Sequence, residues 1–235
     1  MVYVDFANPY LRRYLARHYG ETHRRQLAVV TASLERLVTA AQAAEAAQAT
    51  AAAQYAPRPL AAVLDIDEVI LSNIHMNVHG DFHACDYYLA PDGQPWPRDD
   101  TRLNPELPGA RELITKLRRL GIAIFLVTGR GESLRAETAE NFAFVGLAGD
   151  VESIAGKSDY LFSFDALLRP SGPLYMCPDA DLPPLGVSIR PFKEACRGRI
   201  ERTHRIMLNV GDQASDLGLH GDNQVHCTHP FYFTV

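Results

Sequence analysis

The chain has 235 residues, 47% hydrophobic and 22% charged, with a formal net charge of −5, the make-up of an ordinary globular protein with one generous domain or one domain carrying an insert. The acidic balance removes the electrostatic case for nucleic acid or an anionic membrane surface as the main partner. No apolar stretch approaches the roughly 20 residues needed to cross a bilayer, and four cysteines without CxxC spacing (Cys85, Cys177, Cys196, Cys227) read as free thiols of a reducing compartment rather than a disulfide framework.

The first twenty residues contain no uninterrupted apolar core of the kind a signal peptide needs, so a cytoplasmic location is the default expectation, with a processed secreted form as the alternative. Residues 8–56 read as helix, because Leu27, Val30, Leu34, Leu37, Ala41 and Ala44 recur at alternating steps of three and four and form one apolar stripe. The section from Ala40 is rich in Ala, Gln and Glu, and Pro57 and Pro59 end it. A helical pair packed on the domain, or a small dimer contact, is expected here, and no chemistry.

Ala61 to Leu64 is an apolar run of the length of a buried central strand, and it ends abruptly in Asp65-Ile66-Asp67. Open α/β sheets place their ligands at the carboxyl ends of such strands. If the chain turns there, the two carboxylates converge on one small space, which is costly unless a cation or proton lies between them; a hard divalent ion would supply that charge. The plainer alternative is a surface turn, in which Asp is common, but an apolar strand leading into it argues against exposure. Between Asn73 and Pro105 the periodicity is lost. His75, His79 and His83 are spaced by four, with Asp81, Cys85 and Asp86 nearby, which invites a zinc site. Gly80 interrupts that helix, however, and a substrate-facing cap or an irregular loop fits the composition better. Tyr87, Tyr88 and Trp96 would either stack on a substrate or form the cap's own core.

Ala110 to Leu120 is predicted as a helix opened by Pro108-Gly109 and ended by Gly121. Ile122 to Val127 is a second buried-strand run, ending in Thr128-Gly129-Arg130, where a hydroxyl and exposed backbone N–H groups suit an oxyanion. Alone, Thr-Gly-Arg is weak evidence. A helix from about Gly131 to Val145 is expected next, completing a unit typical of parallel sheets. Residues 146–190 are less regular, with Leu174 to Cys177 as a candidate strand. Lys193 heads a helical segment, a placement that opposes the helix dipole unless an anion is held there; an ordinary solvated lysine is the plain alternative. Arg205 to Val210 is the next strand, ending in Gly211-Asp212-Gln213-Ala214-Ser215-Asp216. If a helix begins at once, Asp216 lies one turn from Asp212 and both face one ion. A short strand and the aromatic tail Phe231-Tyr232-Phe233 close the chain.

Four elements therefore follow in order: DIDEVILSN from Asp65, IFLVTGR ending at Arg130, PFKEACR around Lys193 and NVGDQASDL around Asp212. Together they resemble the haloacid dehalogenase (HAD) superfamily of phosphatases, and within it the acid phosphatase branch that includes the plant acid phosphatases and vegetative storage proteins. The C-terminal HPFYFTV echoes the same branch, and the resemblance spans roughly residues 60–235. Val69 departs from it, since Thr is usual there, but other HAD phosphatases carry Val.

The resemblance implies an α/β fold: a three-layer sandwich with a central parallel, Rossmann-like sheet. With the helical stretch read before it, the chain divides into an N-terminal helical extension over residues 1–58 and a core over 59–235, with a cap insert after the first strand at about 74–106 and an irregular insert at about 146–190. The resemblance assigns Asp65 as nucleophile, forming an aspartyl-phosphate, and Asp67 as general acid and base. Thr128, Gly129 and Lys193 would hold the phosphoryl oxygens. Mg²⁺ would be bound by Asp65, the backbone carbonyl of Asp67, Asp212 and Asp216. The expected partner is a small-molecule phosphate ester, with no nucleic acid polymer and no membrane, and a homodimer through the N-terminal helices is a further expectation. Two alternatives stand beside a phosphomonoesterase: a phosphotransferase passing the same intermediate to an alcohol, and a non-catalytic storage or binding protein, against which the complete acidic set argues. A dehalogenase suits Asp67 and the Asp212/Asp216 pair less well.

Overall fold

The computed structural model describes residues 9–51, 56–72, 104–149, 160–183 and 188–227, with side chains from residue 20 onward. Pro9–Ala51 form one helix, α1, a rod of roughly 65 Å at 1.5 Å per residue. The expected helical pair is a single helix because no Gly or Pro interrupts residues 21–51. Its buried stripe runs through His23, Leu27, Val30, Leu34, Val38, Ala41 and Glu45; Leu37 and Ala44 lie at its margin.

The remaining strands and helices follow in chain order: β1 (Leu60–Leu64), α2 (Ala110–Arg119), β2 (Ala123–Gly131), α3 (Arg135–Phe144), β3 (Ala148–Gly149), β4 (Phe162–Ser163), α4 (Phe164–Leu168), β5 (Leu174–Cys177), α5 (Arg190–Glu201), β6 (Arg205–Gly211) and β7 (Gln224–His226). Among the described residues β5-β2-β1-β6-β7 form one sheet in that spatial order, every pairing parallel. The short β3 and β4 pair separately.

Alternate side chains of a strand point to opposite faces, and the core divides accordingly. Leu60, Ala62 and Leu64 of β1 join α1, α2 and α3 in one cluster. Ala61 and Val63 meet Cys196 and Ile200 of α5 on the other face. Both faces of β1 are therefore covered, which is why its sequence is continuously apolar rather than alternating. The result is the three-layer α/β sandwich expected from the sequence. From β1 the chain steps outward through β2 to β5, then returns to β6 on the far side of β1. This reversal opens a crevice at the carboxyl ends of β1 and β6, where sheets of this class hold ligands.

Three local expectations are corrected. The helix expected from about Gly131 opens as a 3₁₀ turn, Glu132–Leu134, and becomes α-helical only at Arg135; before it, β2 continues across Thr128–Arg130, with Val127 paired to Tyr175 and Gly131 to Cys177 and three residues bulged between them. The helix expected at Lys193 starts earlier, at Arg190, with Pro191 in its first turn. After β6 the chain makes a turn rather than a helix, since the Asp216 carboxylate itself accepts the Gln213 backbone N–H at 3.0 Å. The His75, His79 and His83 cluster, Asp81, Cys85, Asp86, Tyr87, Tyr88, Trp96, most of the first insert, residues 150–159 and 184–187 of the second and the tail Phe231 to Phe233 lie outside the described residues; the described part of the second insert, read as irregular apart from Leu174 to Cys177, carries β3, β4 and α4 as well.

Glu45 latches α1 to the amino end of the sheet. Its carboxylate, 3% exposed, accepts the Arg58 backbone N–H at 3.0 Å and side chain at 3.1 Å, and Arg205 at 3.4 Å. Without Glu45, Arg58 keeps the Glu201 carbonyl at 2.7 Å and Arg205 keeps Asp222 at 2.8 Å, so the loss is that of hydrogen bonds to one charged acceptor. Glu45→Ala is expected to cost about 2 kcal/mol, read as a Tm lowered by roughly 4–8 °C in thermal unfolding. An unchanged Tm would show that the latch contributes nothing.

Candidate active site

The turn after β1 is tight. The N–H groups of Ile70 and Leu71 both donate to the Ile66 carbonyl at 2.9 Å, and Glu68 N–H donates to Leu71 at 2.8 Å. Glu68, fully buried, takes a φ of 58°, a left-handed conformation that costs a non-glycine residue on the order of 1 kcal/mol. The Asp65 backbone N–H bonds the Val210 carbonyl of β6 at 2.9 Å. Asp65 thus ends β1 facing the crevice between β1 and β6, 5% exposed.

Lys193 of α5 reaches the same point from the opposite face. Its Nζ lies 3.1 Å from Asp65 Oδ2 and bonds the Asp216 carboxylate. Asp65, Asp212 and Asp216 are all buried, with one oxygen of each within 4.8 Å of the others. Gln213 donates its side-chain amide to Asp212 Oδ2 at 2.8 Å, and His226 meets the Asp212 carbonyl at 2.7 Å. The glycine preceding this loop is required: a Cβ on Gly211 would fall 1.9 Å from the Asp216 Cβ.

The electrostatics follow from crowding. Burial, then the Asp216 charge, pushes Asp65 well above the ordinary carboxylate range, opposed by Lys193. Burial and Asp216 push Asp212 up to about 7, against the Gln213 hydrogen bond. Burial works against the charge of Lys193, but Asp216 and Asp65 outweigh it and hold its pKa above the usual lysine value. Three carboxylates and one ammonium sum formally to −2 (three negative charges less one positive). The donors are all hard oxygens. Charge and chemistry both fit one divalent cation of the oxygen-loving class. Burial, with Asp212 and Asp216 beside it, pushes the nearby Cys227 thiol up to about 12, so it stays protonated and is no competing thiolate ligand.

The Asp67 carboxylate stands outside this cluster. Arg130 binds it with Nε at 3.1 Å to both oxygens and with its terminal nitrogen at 2.5 Å. Thr128 Oγ1 lies 3.5 Å from the same carboxylate and accepts the Arg130 backbone N–H at 3.2 Å. The β2 bulge is what lifts Thr128, Gly129 and Arg130 to this edge. Gly129 lies beneath Ile189, whose side chain a Cβ there would meet at 3.7 Å.

Four elements therefore bring Asp65, Asp67, Thr128, Gly129, Lys193, Asp212 and Asp216 to one end of the sheet. Arg130, Gln213 and Arg197 received no role from the sequence. For Arg197 a signal was present, since it follows Lys193 by one helical turn on the same face. Arg130 lay inside a motif already singled out, but its partner is 63 residues away.

Residues 21–163 match the profile of the HAD superfamily, subfamily IIIB (acid phosphatase). No curated protein sequence matches the chain. Among solved structures, the class C acid phosphatase of Bacillus anthracis superposes with a TM-score of 0.54 at 18% identity, covering 95% of this chain and 83% of that one. The same Bacillus anthracis enzyme with tungstate bound gives a TM-score of 0.54 at 15% identity, over 92% of this chain and 80% of that one. At such identities the likeness concerns the fold.

Proposed function

The chain belongs to subfamily IIIB of the HAD superfamily, the acid phosphatases, and from that premise we propose that it hydrolyses a small phosphate monoester with Mg²⁺, through an aspartyl-phosphate on Asp65. The observation that carries this reading is the Asp65 carboxylate, buried at a strand end between Lys193 and the carboxylates of Asp212 and Asp216. A carboxylate is a poor nucleophile towards an anionic phosphate because the charges repel. Lys193 lessens that repulsion and offers donors to the phosphoryl oxygens, with Thr128 and the Gly129 N–H on the other side. Asp65 attacks phosphorus, and the ester oxygen departs with a proton from Asp67. Asp67 must carry a proton for that step, whereas the Arg130 guanidinium against both its oxygens favours the ionised form, so this contact has to loosen when the ester binds. Asp67 then takes a proton from the water that cleaves the aspartyl-phosphate. Asp65, Asp212 and Asp216 would hold Mg²⁺ together with the Asp67 carbonyl, and when bound it supplies charge neutralisation for the attacking carboxylate and the phosphoryl group.

The test is phosphate release from a panel of sugar phosphates, nucleotides and aryl phosphates, in Mg²⁺ and in chelator. Metal-dependent release from at least one ester is the expected result. Transfer to an added alcohol with no release in its absence would replace hydrolysis by phosphotransfer, and turnover undiminished by chelation would overturn the metal assignment.

The raised pKa of Asp212 adds a pH dependence with a definite sign. Between the ordinary carboxylate range and about 7, folded metal-free protein holds a proton on Asp212 that the unfolded chain has lost. Its stability therefore falls as pH rises through that interval. Mg²⁺ must displace that proton, and any held by Asp65, whose pKa is raised as well, so its affinity should rise with pH through this interval. Melting curves at pH 5, 6, 7 and 8 should show a Mg²⁺-induced rise in Tm that grows with pH; a constant increment would refute the coupling.

A further inference from the structure

The α5 helix carries a second set of charged groups behind the acidic cluster. Arg197, 1% exposed, lies four residues after Lys193. It donates to the Asp216 carbonyl at 3.1 Å and the Ser215 carbonyl at 2.7 Å. Glu194, one position after Lys193, lies 3.6 Å from Arg197 and accepts the Leu219 backbone N–H at 3.1 Å. Between these anchors runs Gly218, where a Cβ would fall 2.6 Å from Arg197 Nε and 2.4 Å from Glu194 Oε1. Lys193 thus meets the carboxylate of Asp216 while Arg197 holds its main chain. Burying a guanidinium is costly unless its donors are satisfied; here its two terminal nitrogens go to the carbonyls of one loop, while Nε has no hydrogen-bond partner among the described residues.

We infer that Arg197, aided by Glu194, is a positioning residue for the metal site: it fixes the backbone of Ser215 and Asp216 so that the Asp216 carboxylate is preset for the cation. The inference rests on the proposed reading of the acidic cluster as a Mg²⁺ site. Groups that orient ligands without touching the ion typically govern affinity by 10- to 100-fold. A planar guanidinium spans two carbonyls at once, which a lysine ammonium on a flexible stem does not reproduce. Arg197→Lys retains the buried charge but loses the two-point grip. Gly218→Ala keeps every charge and displaces both Arg197 and Glu194.

The experiment is calorimetric titration of the metal-free full chain with MgCl₂ at pH 8, on the wild type, Arg197→Lys and Gly218→Ala, with phosphate release followed against Mg²⁺ concentration. Both variants are expected to bind Mg²⁺ about tenfold or more weakly, while kcat recovers to near the wild-type value at saturating Mg²⁺ and KM for the ester stays constant. A purely structural role would instead lower the Tm and the active fraction without moving the Mg²⁺ dissociation constant. Wild-type binding with unchanged Mg²⁺ affinity in either folded variant would overturn the positioning role. No Mg²⁺ binding by the wild type would overturn the metal reading itself, and the inference with it. If Arg197→Lys does not fold, Gly218→Ala decides the question alone.

Discussion

Asp65→Asn is expected to abolish phosphate release, lowering kcat by at least about 10⁴-fold, or roughly 5.5 kcal/mol of transition-state stabilisation. The substitution is nearly isosteric, and it replaces the nucleophilic oxygen by an amide that cannot form a stable acyl phosphate. Loss of folding should not complicate the result. Asp65 is held well above the ordinary carboxylate range by burial and by Asp216, so ionised Asp65 is a liability in the metal-free fold. Neutralising it relieves repulsion with Asp216 and Asp212 at the expense of the contact with Lys193 at 3.1 Å. The metal-free variant should therefore melt no lower than the wild type at pH 8, and it should bind Mg²⁺ more weakly, having lost one of three anionic ligands. Release within tenfold of the wild type would remove Asp65 from the nucleophile's role.

The second large effect is Lys193→Met. Lys193 is 3% exposed, and its ammonium answers the carboxylates of Asp65 and Asp216. Removing it leaves three buried carboxylates with no cation among them, which costs on the order of 3–5 kcal/mol. The pH dependence is specific. Because the folded pKa of Lys193 lies above the usual lysine value, its contribution is fully present below the ordinary lysine range and is lost only as pH rises through the folded value. Across pH 5–8 the wild-type lysine therefore does not titrate. The variant's carboxylates instead take up protons, so its stability deficit should be largest at pH 8 and shrink towards pH 5. Mg²⁺ should restore part of the Tm. Phosphate release should fall about 10³-fold even at saturating Mg²⁺, because a donor to the phosphoryl oxygens is gone. Equal Tm values at pH 8, or release within tenfold of the wild type, would contradict the role assigned to the lysine.

Both substitutions act on residues that the amino-acid sequence singles out, and the reason is local. Leu60–Leu64 and Ile206–Leu208 are apolar because both faces of each strand are covered. Asp65 and Asp212 stand out because each follows such a run without transition. Lys193 was read at a helix start, and it lies in the first turns of α5. Continuously apolar strands, helices bounded by Gly and Pro, and abrupt carboxylates are features of a few consecutive residues, and the chain states them directly.

What the sequence leaves open is which groups meet. The Arg130–Asp67 pair spans 63 residues, the Arg205–Glu45 contact 160, and the Arg197–Asp216 bond 19. None follows from helical or strand periodicity. Each depends on the order β5-β2-β1-β6-β7, which sets the end of β2 beside the β1 turn and brings α5 across the second face of the sheet. The bulge at Thr128–Arg130 and the turn from Asp212 to Asp216 are settled the same way. In the first, renewed pairing of Gly131 with Cys177 keeps the backbone extended. In the second, the Asp216 carboxylate satisfies the Gln213 N–H. The sequence by itself determined the strands and helices that carry the site and the acidic residues at their ends, since these follow from local periodicity; β3, β4 and α4 did not stand out in it. Tertiary structure alone decided which cation answers which carboxylate, because buried charge is tolerable only where the fold supplies its partner.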